Sequence, residues 1–118
     1  MAVTSNRTVT VTLTGDVTYS QSFSAAANTT SPGQIDIVTL ASGANTITPP
    51  AGGTTPKACT IIPPAGNSTV TITLKGVTGD TGVVLHKTDP CVVSLNSTTT
   101  TFVLTASAEL TGVRLIWT

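Results

Sequence analysis

A strict alternation of threonine with branched aliphatic residues constrains this chain more than any other feature. Thr8-Val9-Thr10-Val11-Thr12-Leu13 puts Val9, Val11 and Leu13 on one side of an extended backbone. Thr69-Val70-Thr71-Ile72-Thr73-Leu74 repeats the pattern, with Val70, Ile72 and Leu74 read as inward and the threonines as outward. A period of two belongs to a strand, since a helix would scatter the same residues around its axis. Branching at Cβ reinforces the choice, because Val, Ile and Thr lose χ1 freedom in a helix and pack well on a pleated surface. Of the 118 residues, 47 are Thr, Val or Ile, so strand chemistry runs through the whole chain.

Further strand-like segments are Val17 to Ser24, Gln34 to Leu40, Asn45 to Thr48, Ala58 to Ile62, Gly82 to His86, Cys91 to Leu95, Thr100 to Thr105 and Gly112 to Trp117. Turn residues separate them at Thr14-Gly15-Asp16, Ser42-Gly43-Ala44-Asn45, Ala65-Gly66-Asn67 and Thr78-Gly79-Asp80. Only Ser24 to Ala27 and Ala106 to Leu110 have room for a turn or two of helix. This spacing predicts an all-β fold: one β-sandwich or jelly roll over residues 1–118, with roughly eight to ten short, mainly antiparallel strands. A loop or arm is expected near 25–34. Ile47-Thr48-Pro49-Pro50-Ala51-Gly52 returns as Ile61-Ile62-Pro63-Pro64-Ala65-Gly66. Each copy ends a strand, because two prolines cannot donate to a ladder. Corners that carry the chain between sheets are favoured over a proline-rich docking site.

Charge narrows the function. Five Lys plus Arg balance five Asp plus Glu, and charged residues are 8% of the chain against roughly 25% in a typical domain. That balance excludes a binder of the nucleic-acid backbone, which needs clustered cations. No apolar run approaches the roughly 20 residues that cross a bilayer, and Met1 to Arg7 has no signal-peptide pattern. Neither nucleic acid nor membrane is therefore expected as a partner. A surface of Thr, Ser and Asn costs little to desolvate against a neighbour, and zero net charge removes repulsion between copies.

Catalytic chemistry finds little support. His86 is the single histidine, and Asp80 or Asp89 could orient it toward a hydroxyl, but no serine sits in a strained elbow. The expectation is a non-enzyme with solvated turns across 75–90. Cys59 and Cys91 are read as two buried thiols in preference to a bridge, which would close a loop of about 32 residues and add roughly 3–4 kcal/mol. With only His86 to join them, zinc is not expected, nor is any other metal or cofactor. Sequons at Asn6, Asn28, Asn67 and Asn96 follow from composition. Sugar-binding modules stack rings on exposed aromatics, and strand pattern would bury most of Tyr19, Phe23, Phe102 and Trp117.

Three stretches carry a resemblance. Asn45-Thr46-Ile47-Thr48-Pro49-Pro50, Cys59-Thr60-Ile61-Ile62-Pro63-Pro64 and Thr73 to Gly82 resemble small β-rich virion proteins of tailed bacteriophages, as does the ending from Phe102 to Trp117. The resemblance implies a non-enzymatic virion component, most simply a capsid decoration or accessory protein that binds the shell as a homo-oligomer. Its implied partners are copies of itself and other virion proteins such as the major capsid protein. A tail or fibre part of the virion is the neighbouring alternative, and a glycan-binding or adhesion module comes from a different class. Expected contact residues are Ser24, Asn28, Thr29 and Pro32 in the arm, and Pro49, Pro50, Pro63 and Pro64 at the corners.

Overall fold

The computed structural model describes residues 3–25, 28–30, 34–50, 56–96 and 101–118. Among them are β1 (Val3–Ser5), β2 (Thr8–Leu13), β3 (Tyr19–Ser24), β4 (Asn28–Thr30), β5 (Gln34–Leu40) and β6 (Gly43–Ile47). They continue with β7 (Ala58–Ile62), β8 (Ile72–Lys75), β9 (Val83–Val84), β10 (Cys91–Ser94), β11 (Phe102–Ala106) and β12 (Leu110–Trp117). No helix occurs among the described residues, and Ala106 to Leu110 is the tight connection between two strands. The 25–34 segment is more than a loop, because β4 pairs with β1 antiparallel. Thr29 lies opposite Thr4 and Asn28 opposite Ser5; Pro32 lies outside the described residues.

Two four-stranded sheets form the body, in the orders β10-β7-β12-β5 and β6-β11-β8-β9, and all their pairings are antiparallel. From β5 onward the chain is one long two-stranded ribbon: β5 pairs with β12, β6 with β11, β7 with β10, and β8 with β9 at the tip. Winding that ribbon on itself brings β12 beside β7 and β11 beside β8. Eight strands wound this way into two sheets make a jelly roll. The two Pro-Pro copies stand at its corners. Pro49-Pro50 follows β6 in one sheet before β7 in the other, and Pro63-Pro64 leads the chain back to β8.

Between the sheets lies a core of Leu40, Ile47, Cys59, Ile61, Ile72, Leu104, Val113, Leu115 and others, with Phe102 and Trp117 at 6.2 Å between ring centroids. That pair joins β11 of one sheet to β12 of the other. Polar groups hold the corners. Asn67 is buried, and its amide donates to the carbonyls of Val70 and Lys87, both at 2.9 Å, while its Oδ1 accepts from Val70 N–H at 3.1 Å. Lys87 Nζ donates back to Ser68 O at 2.9 Å, so the corner after β7 is tied to the corner before β10. A buried amide with both ends satisfied also removes Asn67 as a glycan acceptor.

Glycine is required at two points. Gly112 (φ +82) sits where the β12–β5 register shifts, letting the strand carry a bulge. Gly82 (φ +76) closes the ribbon tip, and a Cβ there would stand 2.5 Å from Leu74 O and 2.6 Å from Lys75 Cγ. Replacing Gly82 by Ala is expected to cost about 1–3 kcal/mol, seen as a lower urea midpoint at unchanged slope. Gly79→Ala, where the same atom meets open space, should stay within about 0.5 kcal/mol of wild type.

Candidate functional site

Three places gather chemistry-bearing or exposed residues. The first is interior. On the core side of the β5-β12-β7-β10 sheet the register sets Asp36 opposite Leu115, Gln34 opposite Trp117 and Trp117 opposite Cys59. Asp36 accepts from Trp117 Nε1 at 3.1 Å and from Gln34 Nε2 at 2.9 and 3.1 Å. These partners arrive from 81 residues away and from two positions back along its own strand, so no local motif marks Asp36. Burial pushes the Cys59 thiol up to about 12, with the negative charge of Asp36 and the nearby Cys91 adding to the rise. Both cysteines are free. A thiol so disfavoured as thiolate is a poor nucleophile at neutral pH. This cluster locks β12 onto β5 and holds no open site.

The second place is the His86 corner. His86 Nδ1 accepts from the backbone N–H of Asp89 at 3.0 Å and of Thr88 at 3.3 Å, and lies 3.4 Å from Asp89 Oδ1. The hydroxyl brought to the ring is Thr88 Oγ1, at 3.5 Å in the same turn. Asp80 belongs to another turn, where its carboxylate accepts from Val77 N–H at 3.0 Å. The imidazole and Asp89 are both largely exposed. What the arrangement does is cap a corner of the ribbon. Among the described residues no three His, Cys, Asp or Glu side chains gather where a metal ion could sit.

The third place is a surface. Among the described residues β2 and β3 pair only with each other, Thr8 to Leu13 against Ser24 to Tyr19. One face of this hairpin is a hydroxyl ladder, with Thr10 Oγ1 at 2.8 Å from Ser22 Oγ and Thr12 Oγ1 at 3.4 Å from Ser20 Oγ. The other carries Val9, Val11, Leu13, Tyr19 and Phe23, each 40–49% exposed. Two of the four aromatics are therefore on the surface, against the expectation that strand pattern buries most of them; no second sheet covers the hairpin among the described residues. Beside its base a cleft of about 510 Å³ runs between Arg7, Val9, Phe23 and Ser24 on one wall and Thr60, Val92, Ser94 and Thr118 on the other. The second wall is the outer face of the β5-β12-β7-β10 sheet. Across that face Ile35 and Ile37 are 64% and 73% exposed, and Ile62 and Ile116 are half-buried.

The expected contact residues divide accordingly. Ser24 is exposed and lines the cleft. Pro49, Pro50 and Pro64 are half-buried at the corners. Pro63 is buried in its own chain and offers no contact surface, because the corner it makes folds back over the core. The exposed isoleucines of β5 and the hairpin's apolar row are not among the residues expected from sequence, although the alternation that marks them is plain there. Comparison with protein-family models, with curated proteins and with solved structures finds no match to this chain.

Cys59 makes stability depend on pH. Its thiol ionises near 9.0 when unfolded and near 12 when folded, so below pH 9 both states are protonated and the contribution is complete. Above pH 9 the unfolded state loses the proton first, and stability falls as pH rises toward 12. Denaturation between about pH 8 and 11 should show this fall, at up to about 1.4 kcal/mol per pH unit, and Cys59→Ala should remove that part of the slope.

Proposed function

We propose that this protein is a non-enzymatic structural component of a virus particle, a capsid decoration or accessory protein of a tailed phage that binds the shell as a homo-oligomer. One observation carries the assembly role: a two-stranded hairpin stands off the body with five apolar or aromatic side chains exposed on one face. Two strands alone are marginal in water, so such an element is held when it packs against something. The radius of gyration of 15.4 Å, against about 13.5 Å for a compact chain of this length, is consistent with an element standing off the body. Low charge adds support, because a hydroxyl-rich surface is buried against neighbours at little cost in desolvation. The virion setting comes from the sequence resemblance, and the jelly-roll architecture, shared by viral capsid domains and lectins, supports it by analogy of fold.

A second reading has its own observation. Tyr19 and Phe23 lie on one exposed face with Gln21 between them, its Oε1 accepting from Tyr19 Oη–H at 2.8 Å. Exposed rings beside an amide suit stacking against sugar, and a glycan-binding or adhesion role is therefore the alternative. A tail or fibre location remains the alternative within the virion.

Tagging the chain in its native genome and banding the released particles on a density gradient tests the proposal. The tagged chain should band with particles at a fixed stoichiometry, on the shell in images of gold-labelled particles. Recovery only in the soluble fraction would overturn the virion role. Label confined to tails would move the protein there, and retention on a glycan array, lost in Phe23→Ala, would favour the second reading.

A further inference from the structure

We infer that the apolar face of the β2–β3 hairpin docks on the outer face of the β5-β12-β7-β10 sheet of a second copy of this chain. The inference rests on the self-association part of the proposal above, and not on where the assembly forms.

β5 supplies the first argument. Its register turns Gln34, Asp36 and Val38 toward the core and Ile35 and Ile37 toward solvent, the reverse of what alternation does at a surface facing only water. Gln34 and Asp36 are half-buried on the core side and tied into a hydrogen-bond network, while two isoleucines stay outside. A strand arranged this way has a second apolar layer to meet. The chain's own hairpin does not provide it. The cleft at the hairpin's base is walled by β7, β10 and Thr118, whereas β5 is the opposite edge of that sheet.

The hairpin supplies the second argument. It offers two paired strands of six residues, one face apolar except for Gln21 and the other hydroxylated, with no third strand beside it among the described residues. Its length matches that of β5 and β12, with seven and eight residues, so sheet-on-sheet packing at about 10 Å is geometrically available. Each patch is thus what the other lacks, and both are carried by one polypeptide. When copies exchange hairpins, every chain buries both patches. The hairpin row is 40–49% exposed and Ile35 and Ile37 are 64% and 73% exposed, so the two patches together offer area of the order that one partner contributes to an interface of standard size, roughly 800 Å².

Charge agrees with a self-contact. The hairpin's apolar row contains no ionisable group other than the Tyr19 phenol, and the sheet face presents Arg114 as its charge. A guanidinium meeting Tyr19 or Phe23 finds an aromatic face and no opposing cation. Zero net charge leaves no long-range repulsion between copies.

Sedimentation of the full chain over a range of concentrations tests the inference. Wild type should self-associate, and Val11→Glu and Ile37→Lys should each weaken association about tenfold or more. Trp117 fluorescence should stay native in both, because Trp117 is buried on the core side of the sheet. Mixing the two variants should restore association, since the carboxylate introduced on one copy then faces the ammonium introduced on the other. A wild type that is monomeric throughout overturns this inference and the self-association part of the proposal together. A wild-type oligomer that neither substitution weakens, or variants that fail to recover on mixing, overturn this inference alone. Glycan retention by a monomeric wild type, lost in Phe23→Ala, overturns it in favour of the sugar-binding reading.

Discussion

The body of this protein depends on what Trp117 does at the end of β12. Its indole N–H reaches Asp36 on β5, 81 residues earlier, and its ring stands against Phe102 of the opposite sheet. One side chain therefore fastens the outermost pair of the ribbon and the two layers of the sandwich. Every inner pair, β6 with β11 and β7 with β10, lies between ends that this contact brings together. Pairings that span so much chain cost loop-closure entropy before they return any contact. A buried aromatic pair whose indole N–H donates to a carboxylate is a contact strong enough to hold them closed.

Strand content was legible in the sequence because alternation and Cβ branching are local. Gln34–Leu40 and Ala58–Ile62 are strands within the same bounds that their residues suggest. The fate of each face was not legible. Thr8 to Leu13 and Thr69 to Leu74 have nearly the same pattern, yet Val9, Val11 and Leu13 are exposed, while Val70 and Ile72 are buried and Leu74 half-buried. Alternation says that two faces differ; whether a second sheet covers one of them is decided by partners far along the chain. Asp36 shows the same limit from the other side. Its role depends on the β5–β12 register, which no local signal reports. Even the Pro-Pro echo was half readable. It marked corners correctly, but which prolines would be buried depended on how the ribbon closes around them.

Low charge and exposed apolar strands belong to one physical logic. A monomer that stays in solution keeps charge on its surface and lysines on its strand edges. This chain has five basic residues in all, and it places isoleucine outward on the edge strand β5. Hydroxyl groups keep such a surface wetted without fixing ions to it. The hairpin then has a wet side and a drier side, set by the choice of Thr and Ser at one parity and of Val, Leu, Tyr and Phe, with Gln21 among them, at the other. Function, on this reading, is spread over faces and does not converge on a pocket.

The proline corners have a consequence for accuracy of folding. β7 is central in its sheet, with β10 on one side and β12 on the other, and it runs from Ala58 to Ile62 with Pro56 before it and Pro63 immediately after. Sliding β7 by one residue would turn Cys59 and Ile61 outward and present Thr60 to the core. In one direction the slide also draws Pro63 into the ladder, where it has no N–H to offer; in the other it draws in Pro56, since Lys57 already pairs through its N–H with Thr118 and through its carbonyl with Leu95. Mispaired registers are therefore penalised at both ends of the strand as well as along it. The prolines act as stops on a ruler, and a chain otherwise rich in interchangeable Thr, Val and Ile proofreads its own central strand.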